Sequence, residues 1–304
     1  MMTPSLSYRI IRKLFAVTGM RQQLSLSTNE FIEEAKKINA KRKFQMPKDK
    51  KNGYLKHTVD HCPVLEIRPG NVRHDHALLF IYGGGMTTAP DGGDQGYAIN
   101  MAEKINRDVY FPYYPLCPEH SVRELTEMVL HTYRLMLKNY RPENIALFGF
   151  SSGGATALST LLMINDRKLD LPMPGKLVAV SAGSVPASEE EKAAMMALDE
   201  KDFVCPASYM MEVGEMMKGP ETEIEPYLLS AHLGDFTNFP ETRMYYGGDE
   251  VLSACAPYYE AALTEYNVKH HITIEPYMCH CYADFRFTPE CRKGNDEILA
   301  FLKA

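Results

Sequence analysis

Asn144-Ile145-Ala146-Leu147-Phe148-Gly149-Phe150-Ser151-Ser152-Gly153-Gly154-Ala155 is the stretch that decides the fold. Its centre, Gly149 to Gly153, has the pattern Gly-x-Ser-x-Gly. The apolar run before it reads as a short buried strand. After it, Ala155, Ala157, Leu158, Leu161 and Leu162 fall at helical spacing. A serine on a tight strand-to-helix turn is a nucleophile elbow. The glycines have a steric role: small residues two positions either side let strand and helix approach, while the serine takes a backbone conformation that a Cβ resists. The helix N-terminus sets a free N–H and positive partial charge where an oxyanion forms. A Gly/Ser-rich turn without chemistry is the bland alternative, and the strand before and helix after argue against it.

Outward from the elbow, short apolar runs alternate with helical patterns. Strands are expected at 54–59, 64–67, 77–82, 108–113, 144–148, 176–180, 242–246 and 271–276. Helices are expected at 95–106, 122–139, 154–165, 256–266 and 296–302. Such alternation implies an α/β protein with a mostly parallel sheet covered on both faces. The first strands lack intervening helices, which suits an antiparallel edge. About 60 residues between Val180 and Thr242 carry no strand signal, too many for a bare loop. Residues 188–198 and 207–217 there look helical and rich in methionine. Met195, Met196, Met210, Met211, Met216 and Met217 suit either a flexible apolar surface or ordinary core. Residues 1 to about 50 look helical and charge-rich, with Phe31, Ile32, Ala35 and Ile38 at helical spacing and Thr28 or Asn29 as the cap.

A serine hydroxyl needs a base to take its proton and a group to orient that base. After an elbow of this kind they follow in the order acid, then histidine, each at a strand end. Tyr245-Tyr246-Gly247-Gly248-Asp249 ends one strand with an acid, and Pro276-Tyr277-Met278-Cys279-His280 ends the last with a histidine. The expected triad is therefore Ser151, Asp249 and His280. Glu250 and Asp284 are nearby carboxylates that do not close a strand as Asp249 does, and His270 and His271 begin a strand at the wrong edge of the sheet. Ile81-Tyr82-Gly83-Gly84-Gly85-Met86 closes an early strand with glycines whose backbone N–H groups can approach a substrate. Gly83 and Gly84 are the expected oxyanion donors, joined by Ser152, the residue after the nucleophile.

The 304 residues suffice for one large α/β domain with an insertion, and 45% hydrophobic with 24% charged residues is ordinary for a globular chain. A net charge of −6 argues against a general nucleic-acid binder. Seven scattered cysteines suit free thiols in a reducing, cytoplasmic compartment. Cys279-His280-Cys281 and His74-Asp75-His76 lack a second ligand pair at zinc spacing, so no metal is expected. Residues Tyr8 to Met20 mix Arg9, Arg12 and Lys13 with Ile10, Ile11, Leu14 and Phe15. They read as an amphipathic helix rather than a signal peptide or a membrane span, packed on the protein or on a membrane surface.

The order of Tyr82-Gly83-Gly84-Gly85, Tyr113-Tyr114-Pro115-Leu116-Cys117-Pro118-Glu119-His120, Gly149 to Gly154, Gly248-Asp249-Glu250-Val251-Leu252 and His280 resembles the hormone-sensitive-lipase-like serine esterases and lipases. Tyr227-Leu228-Leu229-Ser230-Ala231-His232-Leu233 resembles the segment where that family's chain returns from its cap. The resemblance covers roughly residues 77–285. It implies an α/β-hydrolase fold with an eight-stranded sheet, no metal or organic cofactor, and a helical cap. The cap would be residues 1–50 and 185–228, and the core 51–184 and 229–304. A homodimer through the last strand or the cap is also suggested. Tyr82 stands where the family usually has His, and Phe150 and Ser152 stand where it has Asp and Ala. Glu119 is expected to hold the oxyanion loop.

The function expected from these residues is a cytoplasmic serine carboxylesterase, lipase-like, acting on small-molecule esters of short to medium chain. The same residues would serve an amidase, thioesterase or peptidase, and a hydrolase homologue that binds ligand without turnover is a third reading.

Overall fold

Residues 3–16, 19–70 and 74–304 are described by the structure, a computed structural model. Val17 and Thr18, inside the expected helix from Tyr8 to Met20, lie outside the described residues. Eight strands form one sheet: β1 (Asn52–Val59), β2 (Cys62–Pro69), β3 (Ala77–Ile81), β4 (Asp108–Pro112), β5 (Ile145–Phe150), β6 (Lys176–Val180), β7 (Glu241–Gly247) and β8 (His270–Glu275), in the order β1-β2-β4-β3-β5-β6-β7-β8. The β1–β2 and β2–β4 pairs are antiparallel and the other five are parallel. The antiparallel edge expected from the missing helices is present. Every residue of β3 is buried, as a central parallel strand covered on both faces requires.

Helices α1 (Leu6–Ala16), α2 (Met20–Leu24) and α3 (Thr28–Asn39) precede the sheet. Next come α4 (Gly92–Ile105), α5 (Val122–Met136) and α6 (Ser152–Asp166), between the central strands. Between β6 and β7 lie α7 (Glu189–Met196), α8 (Ala207–Lys218) and the single turn α9 (Pro226–Leu229), and α10 (Ala256–Glu265) and α11 (Pro289–Lys303) complete the chain. Several expected boundaries shift by a few residues, and in two helices the cap gives the reason. Helix α3 is capped by Ser27, whose N–H meets the reaching-back Glu30 carboxylate at 3.1 Å, so Thr28 and Asn29 are its first helical residues. Helix α11 starts seven residues before the expected 296, because Thr288 accepts from the Cys291 N–H and Pro289 takes the first helical position.

The span between β6 and β7 leaves and rejoins the core at one place. Val185 N–H donates to the Leu229 carbonyl at 2.9 Å, and the Ser230 hydroxyl donates to the Val185 carbonyl. The excursion packs on the N-terminal helices. Phe31 and Tyr209 meet edge to face at 5.6 Å, Arg12 lies over the Phe203 ring, and Arg21 pairs with Asp199 at 2.8 Å. Together these segments roof the C-terminal end of the parallel strands, where the elbow sits.

Candidate active site

Strand β5 ends at Phe150 and α6 begins at Ser152, leaving Ser151 at φ 54° and ψ −129°. This strained backbone costs about 1–3 kcal/mol, and the Ser151 N–H bond to the Val180 carbonyl (2.8 Å) helps to hold it. The flanking glycines follow from close backbone approach. A Cβ on Gly149 would run into the Gly153 carbonyl, and one on Gly153 into the Ile81 and Tyr82 carbonyls. The elbow is thereby wedged against the end of β3.

After β8 the chain turns through Tyr277 (φ 68°) and reaches Cys281 (φ 56°), presenting His280 to the elbow. His280 Nε2 lies 3.0 Å from Ser151 Oγ, and its Nδ1 lies 2.6 Å from Glu250 Oε2. A carboxylate only accepts, so Nδ1–H donates to Glu250 and Nε2 is left to accept the serine proton. This corrects the expected acid. Asp249 turns away from His280 and pairs with Arg12 at 2.9 Å, while Glu250 turns toward it and is fully buried. The Glu250 carboxylate is held by two further donations: its Oε1 accepts from Gly247 N–H at 2.7 Å and from the Ser181 hydroxyl at 2.8 Å, while its Oε2 faces His280. Burial pushes the Glu250 carboxyl up, opposed by His280 and by Ser181. For His280, burial disfavours the charged ring, but Cys281 and Glu250 outweigh it and raise the imidazole well above its ordinary value.

Ser181 was not singled out from the sequence. It directly follows β6 at φ 47°, gives its hydroxyl proton to Glu250, and its oxygen accepts from the Cys281 N–H at 2.9 Å. One side chain thus ties the acid to the residue after the histidine. Its signal was a polar residue, Val180-Ser181-Ala182, directly after an apolar strand.

The glycine loop after β3 needs its glycines at Gly84 (φ 108°) and Gly85 (φ 62°). Gly84, Gly85 and Ser152 line the same cavity as Ser151 and His280. A Cβ on Gly83 would press on the Phe150 ring at 2.8 Å. Tyr82 is buried and stacks on Tyr114 with ring centroids 4.2 Å apart. The Tyr114 hydroxyl donates to the Tyr82 carbonyl at 2.7 Å, and Cys117 N–H donates to the Met86 carbonyl at 2.9 Å. These two bonds hold the loop, and the expected holder, Glu119, is exposed. Met86 N–H also donates to Ser152 Oγ at 3.2 Å, so the serine after the nucleophile joins the glycine loop to the elbow.

The cavity has a volume of about 720 Å³. Leu24, Phe31, Phe150, Met210, Met217 and Phe285 supply much of its apolar wall. The methionines divide: Met210 and Met217 face this cavity, Met195 is core, and Met196 is exposed. Asp284 also reaches the wall, its Oδ1 accepting from the Tyr97 hydroxyl at 3.1 Å, and burial pushes its carboxyl up to about 7. Among the described residues no three His, Cys, Asp or Glu side chains converge to hold a metal ion. Nor is any described helix long and apolar enough to cross a membrane.

Residues 78–284 match a family model described as the alpha/beta hydrolase fold. Esterase LipU of Mycobacterium tuberculosis is 27% identical over 209 residues, covering 67% of this chain and 69% of LipU. LipR of the same organism is 23% identical over 201 residues, 66% of this chain and 63% of LipR. The chain thus spans about two thirds of the length of these curated relatives. Among solved structures, an esterase from the bacterial hormone-sensitive lipase family superposes with a TM-score of 0.80 at 20% identity, over 99% of both chains.

Proposed function

The chain belongs to the alpha/beta hydrolase fold family, and from that premise we propose that it is a serine carboxylesterase acting on short- to medium-chain esters. The observation that carries this reading is the line from Ser151 Oγ through His280 to Glu250, with spacings of 3.0 and 2.6 Å. Ser151 attacks the ester carbonyl. His280 Nε2 takes its proton and returns it to the leaving alcohol. Glu250, rather than Asp249, fixes the imidazole tautomer and stabilises its charged form. The developing oxyanion is met by backbone N–H groups of the glycine loop, with Gly83 and Gly84 the expected donors, and by that of Ser152 at the positive end of α6. Water then enters, is deprotonated by His280, and releases the acid from Ser151. Residues 1–50 and 185–228 act as the cap over an apolar pocket. The esterase names of LipU and of the bacterial structure support the ester over the amide reading. Seven free thiols support a cytoplasmic setting.

The test is covalent labelling. A fluorophosphonate should add one phosphonyl group to the wild type at Ser151 and none to Ser151→Ala, with hydrolysis of p-nitrophenyl esters lost in parallel. Labelling of Ser151→Ala at the wild-type rate would overturn the assignment.

A further inference from the structure

Helix α1 carries more apolar surface than the fold uses. Its inner side is spent on the cavity: Tyr8 is buried, and Ile11 and Arg12 line the wall. Its outer side exposes Leu6, Ile10 and Leu14, at 71%, 53% and 61%. These three are spaced four apart, so at 100° per residue they share an arc of roughly 80°. Single exposed leucines are ordinary, but an aligned stripe on one helix face is not. A helix serving only to cover the core would turn its whole apolar arc inward.

What flanks the stripe is basic. Arg9 and Lys13 are exposed beside it, and α1 contains no acidic residue. Neither Arg9 nor Lys13 forms an ion pair among the described residues. The chain as a whole is acidic, at −6, so this face is a local exception. Ser5 N–H and its hydroxyl donate to Glu290, which brings the start of α1 beside the turn of Phe287. Phe287 is 58% exposed and lines the same cavity. An apolar stripe bordered by cations with no ion pair among the described residues, with an exposed aromatic near its start, has the chemistry of a helix lying in a membrane interface.

We propose that the outer face of α1, with Phe287 beside it, docks the protein on an anionic phospholipid surface. Leu6, Ile10 and Leu14 enter the acyl boundary, and Arg9 and Lys13 meet the headgroup phosphates. The docking stands on the helix alone. One consequence rests on the esterase reading: the cavity under α1 then takes esters that partition into the bilayer.

The experiment is vesicle flotation of the full chain with phosphatidylcholine, with and without about 30% phosphatidylglycerol. The wild type should float with the anionic vesicles and weakly with neutral ones. Leu6→Ser/Ile10→Ser/Leu14→Ser should lose at least about tenfold in partitioning, and Arg9→Glu/Lys13→Glu should lose the anionic preference. Both variants should hydrolyse dissolved p-nitrophenyl butyrate as the wild type does, which shows that they fold. A wild type that stays unbound, or a triple serine variant that floats unchanged, overturns the proposal. So does a wild-type dimer that dissociates in the triple variant while no vesicle binds, because the stripe then joins two copies of the chain. If no protein hydrolyses the ester, the esterase reading fails while flotation, with circular dichroism to confirm folding, still decides the docking.

Discussion

Glu250 Oε2 lies 2.6 Å from His280 Nδ1, while the carboxylate of Asp249, one residue earlier, turns away to Arg12. The turn after β7 separates the two. Asp249 N–H donates to the Met278 carbonyl and Glu250 N–H to the Gly247 carbonyl, so successive side chains leave on opposite sides. The extra methylene of glutamate lets its carboxylate fold back to the Gly247 N–H and still reach the imidazole. Asp249 instead ties the N-terminal helix to the core beside the site.

The pair sets a pH dependence. Burial works against charging His280, but Cys281 and Glu250 outweigh it and hold the ring above the ordinary imidazole value. The base must be neutral to take the Ser151 proton. Activity is therefore present above the raised pKa and lost as pH falls through it. The ascending limb of kcat/KM should lie above the usual imidazole value of about 6.5. In Glu250→Gln it should move to lower pH. A limb at or below the ordinary value in the wild type would contradict this electrostatic picture.

On the proposed mechanism, Ser181 positions the Glu250 carboxylate and the turn after His280 through its two hydrogen bonds. Ser181→Ala strips Glu250 of one donor and leaves the buried Cys281 N–H without its acceptor. An unmet buried group costs about 1–3 kcal/mol, and about 1.4 kcal/mol reaching the transition state lowers kcat tenfold. The expected result is a fall in kcat with KM unmoved and a shifted pH limb. A lowered Tm with an unchanged pH profile would make the role structural only.

Much of the fold was legible because its central strands are continuous apolar runs and several helices keep a clean apolar face. Two of the helix starts that moved are set by caps. Ser27 and Thr288 are short polar side chains whose capping bonds are conformational, so spacing alone placed α3 one or two residues late and α11 seven. Ser151 and His280 were legible because each follows an apolar run, and the structure brings them together. The choice between Asp249 and Glu250 was not, since adjacent carboxylates differ only in which way a turn throws them. Within the three glycines of this loop, only Gly84 and Gly85 take positive φ, a difference that spacing cannot show.

The wedge between elbow and β3 admits no Cβ. Gly153→Ala forces a methyl into two carbonyl oxygens. Overpacking of this kind should cost at least about 3 kcal/mol. The urea midpoint should fall sharply, and activity should be lost with it. A variant with wild-type stability would mean that the strand and helix are not in such close approach.

Arg12 links α1 to the site at little energetic cost. Its pair with Asp249 is partly exposed and contributes about 1 kcal/mol or less. Arg12→Ala should leave Tm nearly unchanged while hydrogen exchange in α1 quickens and KM rises a few-fold. Unchanged exchange in α1 would show that the helix is held by its apolar contacts instead.

The most direct test of the account compares kcat/KM for Glu250→Gln and Asp249→Asn on one p-nitrophenyl ester. Loss of the group that orients the base costs about 10⁴-fold in kcat in enzymes of this kind. Glu250→Gln should approach that loss, while Asp249→Asn should stay within about tenfold of wild type. The reverse order, with Asp249→Asn the more damaged, would contradict the assignment of Glu250 as the residue that orients His280.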